Sequence, residues 1–444
     1  MESTTIAAIA TPPGDGGVAI IRISGPKALR IANSIFSRSL EIQKSHTASY
    51  GKIISLNGEV LDEVLLLPMR APRSFTGEDV VEIHCHGGRL ITQRVLARVI
   101  EAGAEPAKPG EFSLRGYLNG KMDLAQAEAI QELICAKNEL ALSSAQEQLE
   151  GALSKKIRTF QKEIADVAAI IEAWVDYPEE GLEFASEEEI LAQLTTVQEK
   201  IIRLRDSFKD GKILHEGVRL CLLGAPNVGK SSLMNALLSS DRAIVTEIAG
   251  TTRDLIEETL RIGDLHVHLT DTAGIRENAE RIEEEGIRRS KKAAERSDII
   301  LFVLDATREA TDAEKKLLAS LPKERTVILS NKVDIAKNSP EHFPISAKTE
   351  VGIAELKKHL QNRIWKNGKP GKEQIAITKE RHHFALDQTV QLLHSVCNGL
   401  NEGTSPEFLS SDLRRALKEL GTIIGIDVTE EILGSIFSKF CVGK

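Results

Sequence analysis

The chain has 444 residues and a formal net charge of −8, from 57 Lys and Arg against 65 Asp and Glu. That balance excludes a protein coated in basic surface for nucleic acid and leaves room only for local patches, while a hydrophobic content of 41% can build the cores of two or three domains. An aromatic content of 4% leans toward aliphatic, helix-rich packing, and five scattered cysteines (Cys85, Cys135, Cys221, Cys397, Cys441) with no CxxC pair argue for a reduced compartment rather than a disulfide scaffold.

The opening MESTTIAAIATPPGDGG has no basic n-region, and no apolar run is long enough to span a bilayer, so a soluble cytoplasmic protein without a membrane partner is expected. Residues 1–119 mix short strands with turns. Ile6–Thr11 and Val18–Ser24 are β-like runs separated by Pro12-Pro13-Gly14-Asp15-Gly16-Gly17. These glycines resemble a dinucleotide fingerprint, but no helix follows, so a hairpin-type turn is predicted. Val80–His84 reads as a strand and Arg89–Gly103 as a helix. His84-Cys85-His86 reads as strand alternation rather than a metal cluster, because the middle residue faces the opposite way.

Residues 120–213 form the first part of a predicted helical domain. An apolar stripe runs through Leu149, Leu153, Ile157, Phe160, Ile164, Val167, Ile171 and Trp174. A second runs through Leu191, Leu194, Val197, Ile201, Leu204 and Phe208, behind a capping box at Ser186 and Glu189. Tyr177-Pro178 breaks the two, and the acidic run Glu179–Glu189 reads as a solvated face and helix start, with partner binding as the alternative.

Residues 214–370 carry the chemistry. The run Val218–Leu223 predicts a buried strand feeding Gly224–Ser231, GAPNVGKS. Gly250-Thr251-Thr252-Arg253-Asp254, Asp271-Thr272-Ala273-Gly274, Asn331-Lys332-Val333-Asp334 and Ser346-Ala347-Lys348 follow in order. A Gly-rich turn in an unrelated α/β domain explains one such motif but not five, so a guanine-nucleotide-hydrolysing domain is expected. Backbone N–H groups of the first loop face phosphate oxygens, and the helix opening near Lys230 adds its positive end. Lys230 reaches the outer phosphates. The hydroxyls of Ser231 and Thr252 suit Mg²⁺, Asp271 suits the same ion through water, and the Gly274 amide meets the terminal phosphate. The Asp334 carboxylate accepts from the guanine ring N–H and exocyclic amine, which adenine lacks. The motifs point to Asn227, Val228, Gly229, Lys230, Ser231, Ser232, Thr251, Thr252, Asp271, Gly274, Asn331, Lys332, Asp334, Ser346 and Ala347 as the nucleotide contacts.

Where Ras-like GTPases place a water-orienting Gln after DxxG, this chain has Ile275, so another polar group must serve, and Glu277–Glu285 offers candidates. No cis arginine finger is evident. Asn227 has two readings, a monovalent-cation ligand near the phosphates or a loop-stabilising hydrogen bond. Asn367–Gly371 reads as a linker, and residues 371–444 return to helical periodicity through Leu386, Val390, Leu393, Val396 and Leu400, and again over Asp412–Leu420. The expected fold is therefore multidomain, α/β plus all-α, with a Ras-like P-loop domain inserted into a helical domain. Intramolecular bundle packing is the first reading of its stripes and a dimer seam the second. On residues alone, terminal Cys441 reads as incidental, and Arg22 with Glu82 as a surface or inter-strand pair.

The segments ATPPGDGGVAIIRISG, SFTGEDVVEIHCHGG, PGEFSLRGYLNGKMDLAQAEAI and FCVGK, together with the five motifs, resemble the MnmE (TrmE) family of tRNA modification GTPases along the whole chain. The resemblance implies potassium-dependent GTP hydrolysis, with K⁺ ligands at Asn227, Thr246, Ile248 and Thr251 and a catalytic glutamate at Glu283. It implies an N-terminal tetrahydrofolate-binding and dimerisation domain, with 5-formyltetrahydrofolate or a related folate contacted by Arg22, Glu82, Lys121 and Lys444. It further implies modification of the 5-position of the wobble uridine of tRNA (aminomethyl or carboxymethylaminomethyl) with an FAD-containing partner, MnmG (GidA), in a heterotetramer-type complex of a homodimer, and raises Cys441 to a functional thiol. A ribosome-assembly GTPase switch is the alternative, though no basic stretch or GXXG loop marks an RNA-binding module.

Overall fold

The structure, a computed structural model, describes residues 4–40, 43–177, 185–239, 257–263, 265–271, 294–336, 341–365 and 376–443. The chain divides into two compact units: Met1–Cys135 with Ala145–Arg203 and Arg381–Lys444, and Ala136–Ser144 with Leu204–Glu380.

The first unit begins with a sheet of order β3-β4-β5-β2-β1-β6. Its strands are β1 (Ile6–Ile9), β2 (Gly16–Ser24), β3 (Ser49–Ile54), β4 (Val60–Met69), β5 (Val80–Gly87) and the two-residue β6 (Glu105–Pro106). The predicted hairpin is present: β1 and β2 pair antiparallel from Ile6 opposite Ser24 to Ile9 opposite Ile21. Ile21, Ile23, Leu66 and Ile83 bury one face of the sheet with Ile31, Ile35, Val95 and Val99 of the helices Ala28–Ile35 and Arg89–Glu101. Within His84-Cys85-His86 the sheet buries Cys85 and exposes His86, whose Nδ1 lies 2.7 Å from Asp62 Oδ1. Burial pushes the Cys85 thiol up to about 11, which makes it an inert core residue.

Helices follow in the same unit. In Ala152–Asp176, Leu153, Ile157, Phe160, Ile164, Val167 and Ile171 are buried at the predicted spacing. Leu149 belongs instead to the preceding helix Glu139–Leu149, and Trp174 is half-buried. The helix Pro406–Ile424 packs beside this stripe, with the Gln161 amide donating to the Leu417 carbonyl at 3.2 Å and Arg414 paired to Glu172 at 2.8 Å. The chain's own helices therefore cover the stripe. The capping box forms as expected, Glu189 N donating to Ser186 Oγ and Ser186 N to Glu189 Oε2. The stripe behind it is led by fully buried Ile190, with Leu191 half-buried, while Phe208 opens a separate helix, Phe208–Glu216, that belongs to the second unit. The predicted Asp412–Leu420 is the middle of a longer helix, since Pro406 takes the first helical position and Gly425 the left-handed end.

One ion-pair network joins the helix Leu124–Cys135 to segments beyond residue 380. Arg381 grips the buried Glu128 carboxylate with both fork nitrogens, at 2.8 and 2.6 Å, and also donates to the carbonyls of Thr422 and Ile423. Burial pushes the Glu128 carboxyl up, but Arg381 outweighs it and holds the group well below the usual carboxylate range.

The second unit is a sheet of order β12-β11-β10-β7-β9-β8. Its strands are β7 (Val218–Leu223), β8 (Glu257–Ile262), β9 (Leu265–Asp271), β10 (Ile299–Asp305), β11 (Thr326–Asn331) and β12 (Phe343–Pro344). All neighbouring pairs are parallel except β8 with β9. The apolar run of β7 is buried on both faces, as a central parallel strand requires: Leu220 and Leu222 join one core and Cys221 and Leu223 the other. Parallel pairing brings the carboxyl ends of β9, β7, β10 and β11 to one edge, where open α/β sheets bind ligands.

Candidate functional site

That edge assembles the described parts of the predicted nucleotide site. The loop from β7 enters the helix Lys230–Ser239, with Leu233 N closing the first turn on Gly229 O at 2.9 Å. Asn227 is exposed with φ +62° and Gly229 has φ +95°. A Cβ at Gly229 would lie 2.3 Å from Asn331 Nδ2, so only glycine lets the loop approach this closely. Lys230 Nζ donates to the Gly224 and Ala225 carbonyls at 2.9 and 2.8 Å. Ser231 and Ser232 are exposed on the first helical turn, where a hydroxyl is free to meet a cation or phosphate.

Asn331 is the hub. It is 2% exposed; its Nδ2 donates to Val228 O at 2.8 Å and its Oδ1 accepts from Ala347 N at 2.9 Å. One amide thus ties the phosphate loop to the Ser346-Ala347-Lys348 loop. Ser346 is fully buried, its N–H bonded to Val351 O and its Oγ accepting from Thr349 N. Asp334 stands exposed two residues beyond Lys332, available to a ligand.

Lys332 has a left-handed backbone, φ +70°, and its Nζ lies 2.6 Å from Asp305 Oδ2 at the end of β10. Burial pushes the Asp305 carboxyl up, but hydrogen bonds from Lys332 and Thr307 outweigh it and hold the group below the usual carboxylate range. Sequence reasoning missed Asp305; an acidic residue closing an apolar strand run was the available signal.

Asp271 closes β9 opposite Leu222, but its side chain lies outside the described residues. Thr246, Ile248, Thr251, Thr252, Gly274 and Glu283 lie outside them as well, as does Lys444.

The first unit brings together part of the second predicted site. Arg22 and Glu82 are cross-strand partners on β2 and β5, joined at 2.8 Å, each with a side chain 14% exposed. The Arg22 guanidinium also donates to Gly443 O at 3.2 Å and stands 5.5 and 5.7 Å from the ring centres of Phe75 and Phe112. Gly443, at φ +93°, presses so close to Ile9 O that a Cβ would lie 2.3 Å away. The Gly110 N–H holds the Cys441 carbonyl at 3.3 Å, and the Cys441 side chain is exposed. Arg22, Glu82 and the terminal tail therefore share one place, which sequence spacing alone does not reveal. Lys121 Nζ bonds the Pro72 carbonyl at 3.0 Å.

Among the described residues, no helix is long and apolar enough to cross a membrane. The family model for the MnmE helical domain matches residues 124–441, and that for the GTP-binding protein TrmE N-terminus matches residues 5–121. The chain is 53% identical to the tRNA modification GTPase MnmE of Protochlamydia amoebophila, covering 99% of this chain and 97% of that one. It is 44% identical to the protein of that name from Chlamydia abortus, over 100% of both chains, and 39% identical to that of Clostridioides difficile, over 99% of both.

Proposed function

Since the chain belongs to the MnmE family of tRNA modification GTPases, we propose that it hydrolyses GTP to GDP and phosphate and uses that cycle to drive modification of the 5-position of the wobble uridine in tRNA. The observation that carries the nucleotide reading is Asn331, whose single amide holds Val228 and Ala347, one on each of two loops that would flank a bound nucleotide.

In this reading the chain's own residues bind and orient. Backbone N–H groups of Asn227–Lys230 and the Lys230 ammonium meet the phosphates, so Lys230 exchanges two loop carbonyls for phosphate oxygens. Asp334 accepts from the guanine ring N–H and amine. Ser231 and Thr252 would hold Mg²⁺, while Asn227, Thr246, Ile248 and Thr251 would hold K⁺. Exposed hydroxyl and amide oxygens at Ser231 and Asn227 suit such hard cations. When bound, these cations would supply positive charge in a site whose motifs include no evident cis arginine finger. Glu283 orients the attacking water in place of the glutamine that Ile275 replaces.

The tail site fits a folate in its donor set: a guanidinium for a glutamate carboxylate, the Glu82 carboxylate for pterin N–H groups, and Phe75 and Phe112 beside the cation. Lys121 and Lys444 would add charge for the same tail. A tetrahydrofolate would supply the one-carbon unit, a partner protein carrying FAD would complete the chemistry, and Cys441 would serve as the functional thiol. The protein would act as a cytoplasmic homodimer through its N-terminal domain.

The deciding experiment is nucleoside mass spectrometry of bulk tRNA from cells lacking this protein, with wild type or Cys441→Ser re-expressed. Loss of the 5-substituted uridine, restored by wild type alone, supports both the reaction and the role of Cys441. Restoration by both returns Cys441 to an incidental residue. Unchanged nucleosides overturn the tRNA reading and leave a GTPase switch.

A further inference from the structure

We propose that Asp305 is a positioning residue for recognition of the guanine base, acting through Lys332. The inference rests on the GTP-binding reading above.

The two residues leave adjacent strands at the same level. Asp305 of β10 sits opposite Asn331 of β11, and Ala306 N bonds Asn331 O at 2.8 Å, so Lys332 begins its turn directly beside the Asp305 side chain. The carboxylate is itself fixed before any ligand arrives, because it accepts from Thr307 N at 3.0 Å and Thr307 Oγ1 at 2.6 Å. It then holds the Lys332 ammonium at 2.6 Å, in a pair whose side chains are only 11% and 32% exposed. Such a pair is screened less than one on the open surface.

The turn from Asn331 to Asp334 is thereby anchored in two directions. Asn331 is fastened inward to Val228 and Ala347, and Lys332 is fastened to Asp305. Val333 N adds a bond to Ile345 O, and Ile335 N closes the turn on Lys332 O. A left-handed lysine persists only where its surroundings over-determine it, and here the ion pair is part of that determination. A flexible four-carbon stem ordered in the free protein is a stem that binding need not order. The effect belongs in nucleotide affinity and residence time rather than in the chemical step.

The test is release of fluorescent N-methylanthraniloyl-GDP from the full chain, followed by stopped flow. Wild type must bind first; failure there overturns the GTP-binding reading and this inference with it. With binding established, Asp305→Asn should release the nucleotide about three- to tenfold faster and raise Kd to match, with kcat at saturating GTP within about twofold of wild type. In a Lys332→Met background the same substitution should add nothing, since the residue acts only through that ammonium. Equal losses in both backgrounds, or no loss in either, would overturn the assignment. Should Asp305→Asn fail to fold, Asp305→Glu keeps the charge and moves it by one methylene. Faster release confined to the Lys332 background supports the positioning role, and wild-type release overturns it.

Discussion

The side-chain amide of Asn331 donates to the main-chain carbonyl of Val228 across 103 positions of sequence, at 2.8 Å and out of contact with water. The same residue accepts from Ala347 N, so its loss orphans a buried carbonyl and a buried N–H at once. Asn331→Ala should destabilise the nucleotide unit by about 2–4 kcal/mol and weaken GDP binding at least tenfold. Urea unfolding and equilibrium GDP titration measure the two effects. A variant with wild-type stability and affinity would remove Asn331 from the centre of the site.

Asp334 is expected to choose the base. Its exposed carboxylate offers two acceptors, whereas an asparagine offers one acceptor and two donors. Asp334→Asn should reduce GTP affinity by about 100-fold or more and gain relative affinity for xanthosine triphosphate, whose ring presents a carbonyl where guanine has its amine. Competition binding with the two nucleotides reads this directly, and retained preference for GTP would move base recognition elsewhere.

The clamp between Arg381 and Glu128 makes a prediction about the first unit. Arg381→Ala leaves a buried carboxylate without its bidentate partner and should cost about 3–5 kcal/mol. Glu128→Met combined with Arg381→Met should recover much of that loss, because replacing both charges removes the desolvation cost of each. Denaturant titration of the single and double variants decides it; a double variant as unstable as Arg381→Ala would show that the Thr422 and Ile423 contacts dominate instead.

Acid should loosen the second unit through His266. Burial first, then Lys137 and the neighbouring His268, push its imidazole down from 6.5 to about 4. The unfolded chain therefore binds a proton at pH values where the folded one does not. The contribution is fully present above about pH 6.5 and is lost as pH falls toward about 4, by on the order of 3 kcal/mol at most. Unfolding measured at pH 7.5 and 4.5 should show this slope, and His266→Gln should flatten it. An unchanged slope would assign the acid sensitivity to other groups.

The sequence by itself determined what was local and periodic. The apolar run Leu220–Leu223 feeding a glycine-rich loop reads as a strand buried on both faces, and the three- and four-residue spacing from Leu153 to Ile171 as one buried helix face, since those are the periods of the two backbones. The Ser186–Glu189 box, the hairpin after Ile9 and the phosphate loop before Lys230 were legible for the same reason: their hydrogen bonds begin to close locally, from Ser186 to Glu189, from Ala10 to Ile20 and from Lys230 to Gly224. What only the tertiary structure decided depends on partners far apart in the chain. That Ile190 rather than Leu191 leads a stripe shows only in the folded chain, where Ile190 is fully buried and Leu191 half-buried. That Arg22 meets Gly443, that Arg381 reaches back to Glu128 and that Asp305 waits beside Lys332 follow from strand register and helix packing, which no spacing encodes. The motifs supplied the chemical groups; the parallel sheet, by delivering its strand ends to one edge, brought the partners of the adjacent Asn331 and Lys332 within reach, Val228 and Ala347 for the first and Asp305 for the second.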